Sequence, residues 1–253
     1  MDTKLKTLLK KSRFVRFSVK AIRGAIIDIR VLRWWAIRPH AIRAYFESNG
    51  PKGLQIGTSR SLMGSWLNTD LLPTNREVVY LDATSRFPFR DDQFDYVWSE
   101  HMIEHTDYKS GVVMLSECFR VLKPGGTIRI ATPDLEVLLG LYSKEKTPIQ
   151  QRYLDWMIKR NLPGVTTCKE VFVINNAFRA WGHTFLYDRA TLSDAMGRVG
   201  FRDIKFYKPG VSDEQHLQGL EKHGDVIGSE EINQFVTFVI EGKTPNSKRT
   251  VDL

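Results

Sequence analysis

The chain has 253 residues, 42% of them apolar, and a formal net charge of +8, enough for one domain with a sizeable core and one appendage. Two cysteines, Cys118 and Cys168, exclude a disulfide framework and have no metal-ligand spacing, which points to plain thiols in a reducing compartment. No run approaches the roughly 18 uncharged apolar residues of a membrane-spanning helix, and the amino terminus lacks a signal peptide's apolar stretch, so the protein is expected in the cytoplasm.

The charge is unevenly placed. Residues 1–46 hold twelve Lys or Arg against Asp2 and Asp28, a balance of +10 that leaves −2 for the other 207 residues. Leu5, Leu8, Val15, Val19, Ile22 and Ile26 fall on one side of a helical wheel, with Lys6, Lys10, Arg13 and Lys20 on the other. Residues 1–48 are therefore predicted as a basic amphipathic helical segment. Such a segment either packs over the fold with its basic face solvated or lies on an anionic membrane, each cation there contributing roughly 1 kcal/mol. The second reading would make the protein peripheral to the inner face of a membrane. Nucleic acid is disfavoured as a partner, because the rest of the chain has no basic stripe for a binding cleft.

Beyond the leader the pattern predicts strands over 53–57, up to Asp70, and over 77–82 and 94–98. A helix follows over 107–122, where Val112, Leu115, Phe119 and Leu122 share one face of a 3.6-residue period. Thr106 and Asp107 can cap its first turn, and Lys123-Pro124-Gly125-Gly126 marks its stop. A strand over 127–132 then ends on Pro133-Asp134. Strand, helix, strand implies a right-handed parallel crossover, with polar residues at the carboxyl ends of the strands where ligands of open α/β sheets bind. Residues 135–160 read as helical with a break at Thr147-Pro148, and 161–186 as a loop. The ending is a helix over 189–199 closed by Gly200, a strand over 201–207, a loop through Gly224, a strand over 234–240 and a polar tail over 244–253.

The elements FDYVWSEHMIEH, RVLKPGG and PD between Phe94 and Asp134 resemble those of the class I methyltransferases that use S-adenosylmethionine. Leu54-Gln55-Ile56-Gly57 with Gly64-Ser65-Trp66-Leu67-Asn68-Thr69-Asp70 resembles the first motif of a bacterial subgroup. The resemblance implies an α/β fold: an open, mostly parallel seven-stranded Rossmann-like sheet with helices on both faces. It implies a methyltransferase domain over 49–243, whose insertion at 135–186, after strand 5, covers the substrate. It further implies S-adenosylmethionine as cofactor, with Gly57 admitting it closely, Asp70 on its ribose, Asp82 on its adenine side, and Glu100 and His101 facing the methyl group. The usual GxGxG is replaced by Gly57-Thr58-Ser59-Arg60-Ser61, and Asp70 follows Gly57 by only thirteen positions, as in a compact variant lacking the first crossover helix.

For chemistry, His101 is the first candidate base for an oxygen nucleophile, since histidine titrates near neutral pH, and His183 is the second. Glu104, His105, Asp134 and Tyr187 are further polar candidates, Glu104 and His105 more readily as organisers of the loop. No His, Cys, Asp or Glu group has a recognisable metal-ligand spacing, so no metal is expected. A nicotinamide enzyme is disfavoured for want of a GxGxxG. The function expected is O-methylation of a small or glycan-type, cell-envelope acceptor. The alternative is a non-catalytic methyltransferase-like binding module, attached to a membrane.

Overall fold

The strand β1 (Gly53–Ile56) is buried along its whole length, as a central parallel strand must be. The computed structural model that contains it describes residues 34–59 and 61–247; most of the basic leader, residues 1–33, lies outside the described residues. Around β1 a seven-stranded sheet forms in the order β3-β2-β1-β4-β5-β7-β6, from β2 (Trp66–Asp70), β3 (Val78–Tyr80), β4 (Phe94–Glu100), β5 (Leu122–Pro133), β6 (Arg202–Tyr207) and β7 (Thr237–Lys243). The pairs from β3 to β5 are parallel, and β7 runs antiparallel to both β5 and β6. The predicted α/β, mostly parallel seven-stranded sheet is the one observed. Residues 57–59 and 61–65 contain no helix, so β1 passes to β2 by a short loop.

Alternation along the strands separates two packed faces. Val97, Ile128, Ile130, Phe238 and Ile240 belong to the main core, together with Met114, Leu115, Cys118 and Val121 of helix α2 (Tyr108–Val121) and Leu192, Ala195 and Met196 of the later helix over Arg189–Val199. The helix over 34–47, α1, joins this core through Ala41, Ile42, Tyr45 and Phe46, and the Tyr45 hydroxyl donates to Gly53 O at 2.8 Å. The end of the leader therefore packs on the domain. Trp98, Ala131 and Val239 face the other way. On that side the fully buried Arg129 donates to Glu221 and Glu241 and lies over the Trp98 ring, so its charge is paired and hydrogen-bonded, as a buried cation requires.

Several expected boundaries move. The Asp107 side chain caps α2 by accepting from Ser110 N, as expected, but the helix ends at Leu122 in extended conformation and runs straight into β5. Gly125 and Gly126 are needed one step later: Gly125 has φ +76°, and a Cβ at Gly126 would meet Lys123 O at 2.9 Å and Asp95 O at 3.1 Å. The insertion forms α3 (Leu135–Gly140), α4 (Pro148–Asn161) and α5 (Glu170–Arg179). Thr147 closes a capping box on α4 with Gln150. Helix α5 falls where a loop was predicted, because Val173, Ile174 and Ala177 bury one face of it. After α6 (Arg189–Val199), the expected loop and the start of the last strand become α7 (His223–Ile227) and α8 (Glu230–Val236). Ser229 caps α8 and Ile232 anchors it in a second core with Leu138, Leu154, Met157 and Val173. Among the described residues no helix is long and apolar enough to cross a membrane.

Candidate active site

The carboxyl ends of β1, β4 and β5 open beneath the α3–α5 and α7–α8 helices, leaving a cavity of about 460 Å³. Gln55, Gly57, Thr58 and Ser59 line one side, Glu100, His101, Glu104, His105 and Pro133 the floor, and Tyr153, Trp156, Arg160, Asn161, Trp181 and His183 the insertion side.

Gly57 turns the chain at φ +75°, and a Cβ there would stand 2.6 Å from Met102 Cγ, so only glycine fits. The adjoining Gln55 Oε1 and Thr58 Oγ1 are buried without hydrogen-bond partners. Buried polar atoms are normally paired, and both side chains line the cavity, where a polar ligand is within reach of them.

At the end of β4 His101 adopts φ +46°, a left-handed conformation that costs energy outside glycine. Its amide donates to Ala131 O at 2.9 Å, which carries the β4–β5 pairing one residue further. Its ring Nδ1 lies 3.2 Å from Glu104 Oε1 and its Nε2 3.2 Å from Thr237 Oγ1. Since a carboxylate only accepts, the Nδ1 proton points to Glu104. Glu104 is 0% exposed and also accepts from the Thr132 hydroxyl at 3.1 Å. Burial opposes its charge, yet the hydrogen bond and charge of His101, with a smaller contribution from His105, hold its pKa below the usual carboxylate value.

Glu100 and His223 close the site from the far side. The Glu100 carboxylate accepts from Lys222 N and His223 N at 2.9 Å, so it fixes the start of α7. His223 then stacks on His101 with ring centroids 3.8 Å apart. Burial, reinforced by the charge of His101 and more weakly by that of His183, drives the His223 pKa down to about 3, with Glu104 opposing. A histidine kept neutral in the folded state but protonated in the unfolded chain makes stability fall as pH drops below its unfolded pKa near 6.5. His223→Asn is expected to remove about 1–2 kcal/mol of the stability lost between pH 7 and pH 5. Urea melts at the two pH values would measure it, and an unchanged pH dependence would refute the assignment.

The sequence-derived candidates thus divide. Gly57, Glu100, His101 and His183 meet around one cavity. Asp70 and Asp82 do not line it: Asp70 accepts from Ser59 N and Leu72 N, both at 2.9 Å, and so holds the Gly57 loop, while Asp82 accepts from Thr84 N in its own turn. Asp134 caps α3 and pairs with Arg189 at 3.0 Å, and Tyr187 is buried in the main core. Burial lowers the pKa of His183, whose Nδ1 lies 2.7 Å from Ala177 O. His223, Thr132 and Thr237 went unnoticed in the sequence. Ser229 before Glu230 and Glu231, followed by Ile232, was a readable helix-start signal for α8; nothing local marks His223.

Residues 65–130, from the start of β2 to within β5, match the family model of a methyltransferase domain. No curated protein matches the chain. Similar solved structures include a Thermotoga maritima S-adenosylmethionine-dependent methyltransferase described as a possible histamine N-methyltransferase (15% identity, 90% of this chain and 97% of that one, TM-score 0.45). Another is an S-adenosylmethionine-dependent methyltransferase from Archaeoglobus fulgidus (18%, 85% and 94%, 0.44). A third is the Haemonchus contortus phosphoethanolamine N-methyltransferase 2 bound to phosphomonomethylethanolamine and S-adenosylhomocysteine (17%, 83% and 53%, 0.45).

Proposed function

We propose that the chain is a class I S-adenosylmethionine-dependent methyltransferase, a reading supported by the methyltransferase-domain match over residues 65–130 and the seven-stranded sheet order, and that it methylates a hydroxyl of a small or glycan-type acceptor held in the cavity beneath the insertion. The observation that carries this reading is the two-sided cavity wall. On the β1 side, the Gly57 turn and the unpaired Gln55 Oε1 and Thr58 Oγ1 fit the polar amino-acid end of S-adenosylmethionine. On the insertion side, Tyr153, Trp156 and Trp181 offer rings that can lie against sugar C–H faces, and Arg160 and Asn161 offer donors for hydroxyls.

When bound, the cofactor supplies an electrophilic methyl group on a sulfonium. The chain's own part is to position the acceptor, keep water out and take a proton. O-methylation forms a C–O bond, breaks the S–CH₃ bond and frees the hydroxyl proton. His101, which lines the cavity, is the base in this reading, and Glu104 orients its Nδ1–H. His183 is the second imidazole facing the acceptor oxygen.

The test is transfer of labelled methyl from S-adenosylmethionine to a cell-envelope glycan extract. The expected product keeps its label in mild alkali, as an ether does, and His101→Ala lowers the rate by about 10²-fold or more while retaining S-adenosylhomocysteine binding. Label released by alkali, label on nitrogen, or an undiminished His101→Ala rate would overturn the reading.

A further inference from the structure

We propose that Glu104, His105 and His183 form a binding site for a first-row divalent transition-metal ion of the zinc type. Their ligand atoms lie within 4.8 Å of one another, the one such group among the described residues. Two imidazoles and a carboxylate are a donor set suited to zinc-like ions, whereas magnesium and calcium prefer oxygen alone.

The surrounding hydrogen bonds prepare Glu104 and His183 as ligands. A backbone carbonyl only accepts, so His183 must carry its proton on Nδ1, donated to Ala177 O at 2.7 Å. Its Nε2 is then left with a lone pair. This is the outer-shell arrangement that fixes tautomer and ring orientation in metal-binding histidines. Glu104 is held by His101 and Thr132 at 3.1–3.2 Å, and a carboxylate has lone pairs to spare beyond two such bonds. The His105 ring meets the His183 ring edge-on at 5.1 Å.

The backbone supports the same juxtaposition. Glu104 O accepts from Thr184 N at 2.7 Å and Phe185 N at 3.2 Å, and the Thr184 hydroxyl donates to His105 O at 3.0 Å. Two segments distant in sequence are thereby locked together at the point where their imidazoles meet. Preorganisation of this kind is what a tight ion site needs.

All three residues line the cavity, so an ion with three protein ligands keeps an open position toward it. Resting on the acceptor reading above, that position would take the acceptor's hydroxyl oxygen and make its proton easier to lose, with His101 beside Glu104 to receive it. His183 would then reach the acceptor through the ion.

The test uses the full chain after dialysis against a chelator, titrated with Co²⁺ by visible absorption and with Zn²⁺ by calorimetry. One ion per chain is expected, with the visible bands of Co²⁺ held by nitrogen and oxygen. His183→Ala and His105→Ala should each weaken binding by about 100-fold or more, while His216→Gln and Cys168→Ser leave it unchanged. Circular dichroism melts of each variant establish that it is folded, and the exposed His105 can be replaced without disturbing a core. Absence of stoichiometric binding, or equal affinity in folded His105→Ala and wild type, would overturn the site. S-adenosylhomocysteine binding, measured separately, reports on the methyltransferase reading alone.

Discussion

Glu104→Ala is expected to lower the stability of the domain by about 3 kcal/mol and to abolish methyl transfer. The side chain is fully buried and is the partner of both His101 Nδ1 and the Thr132 hydroxyl. Removing it strands the His101 Nδ1–H and the buried Thr132 hydroxyl, at about 1–3 kcal/mol for each hydrogen-bonding group left unsatisfied, and opens a cavity. The partial exposure of His101, 13%, argues for the low end of that range. For a chain of this size the loss corresponds to a melting temperature lower by roughly 6–12 °C. Glu104→Gln keeps the shape and an acceptor for Thr132 but not the charge, so it should retain most of the stability while losing activity. Melting curves of the two variants beside wild type provide the check. A Glu104→Ala protein within 0.5 kcal/mol of wild type would mean that the network around His101 holds nothing together.

The sheet was legible because its strands carry apolar runs bounded by clear punctuation: Leu54-Gln55-Ile56 before Gly57, and Phe94 to Trp98 before a polar loop. The face of α2 was read from Val112, Leu115, Phe119 and Leu122. Its most buried stripe is Gly111, Met114, Leu115, Cys118 and Val121, displaced because the small Gly111 and Cys118 let the helix lie close to its neighbours. The cap at Asp107 and the helix boundary at Thr147-Pro148 are short-range chemistry and were legible. What escaped was long-range. The Glu104, His105 and His183 group has no sequence spacing to recognise, since Thr184 and Phe185 bring it together across the fold. Likewise the hydrogen bonds that the Glu100 carboxylate accepts from the amides of Lys222 and His223 join residues over a hundred positions apart and leave no local signal. The start of α8 is signalled by Ser229, but its apolar residues continue into β7 without a break, so no turn signal marks where helix gives way to strand.

Gly57→Ala is expected to remove cofactor binding while leaving the fold intact. A methyl group there stands 2.6 Å from Met102 Cγ and 2.9 Å from Met102 Cβ and needs a backbone φ of +75°, which costs an L-residue about 1–2 kcal/mol. The chain can relieve the clash only by moving the Gly57–Ser59 turn or the 102–105 turn. Either movement displaces the Gln55 and Thr58 side chains, whose Oε1 and Oγ1 are unpaired, or the His101–Glu104 pair. The core strands beneath do not depend on that turn, so the loss should fall on binding. Asp70, which accepts from Ser59 N, holds the same turn from the other side, and Asp70→Ala should weaken binding more mildly.

The most direct test of the account is calorimetric titration of the full chain and its Gly57→Ala variant with S-adenosylhomocysteine. Binding at one site per chain in the wild type, and none in the folded variant, is the predicted result. Wild-type protein that takes up no S-adenosylhomocysteine, or a variant that binds it equally well, would contradict the assignment of this cavity.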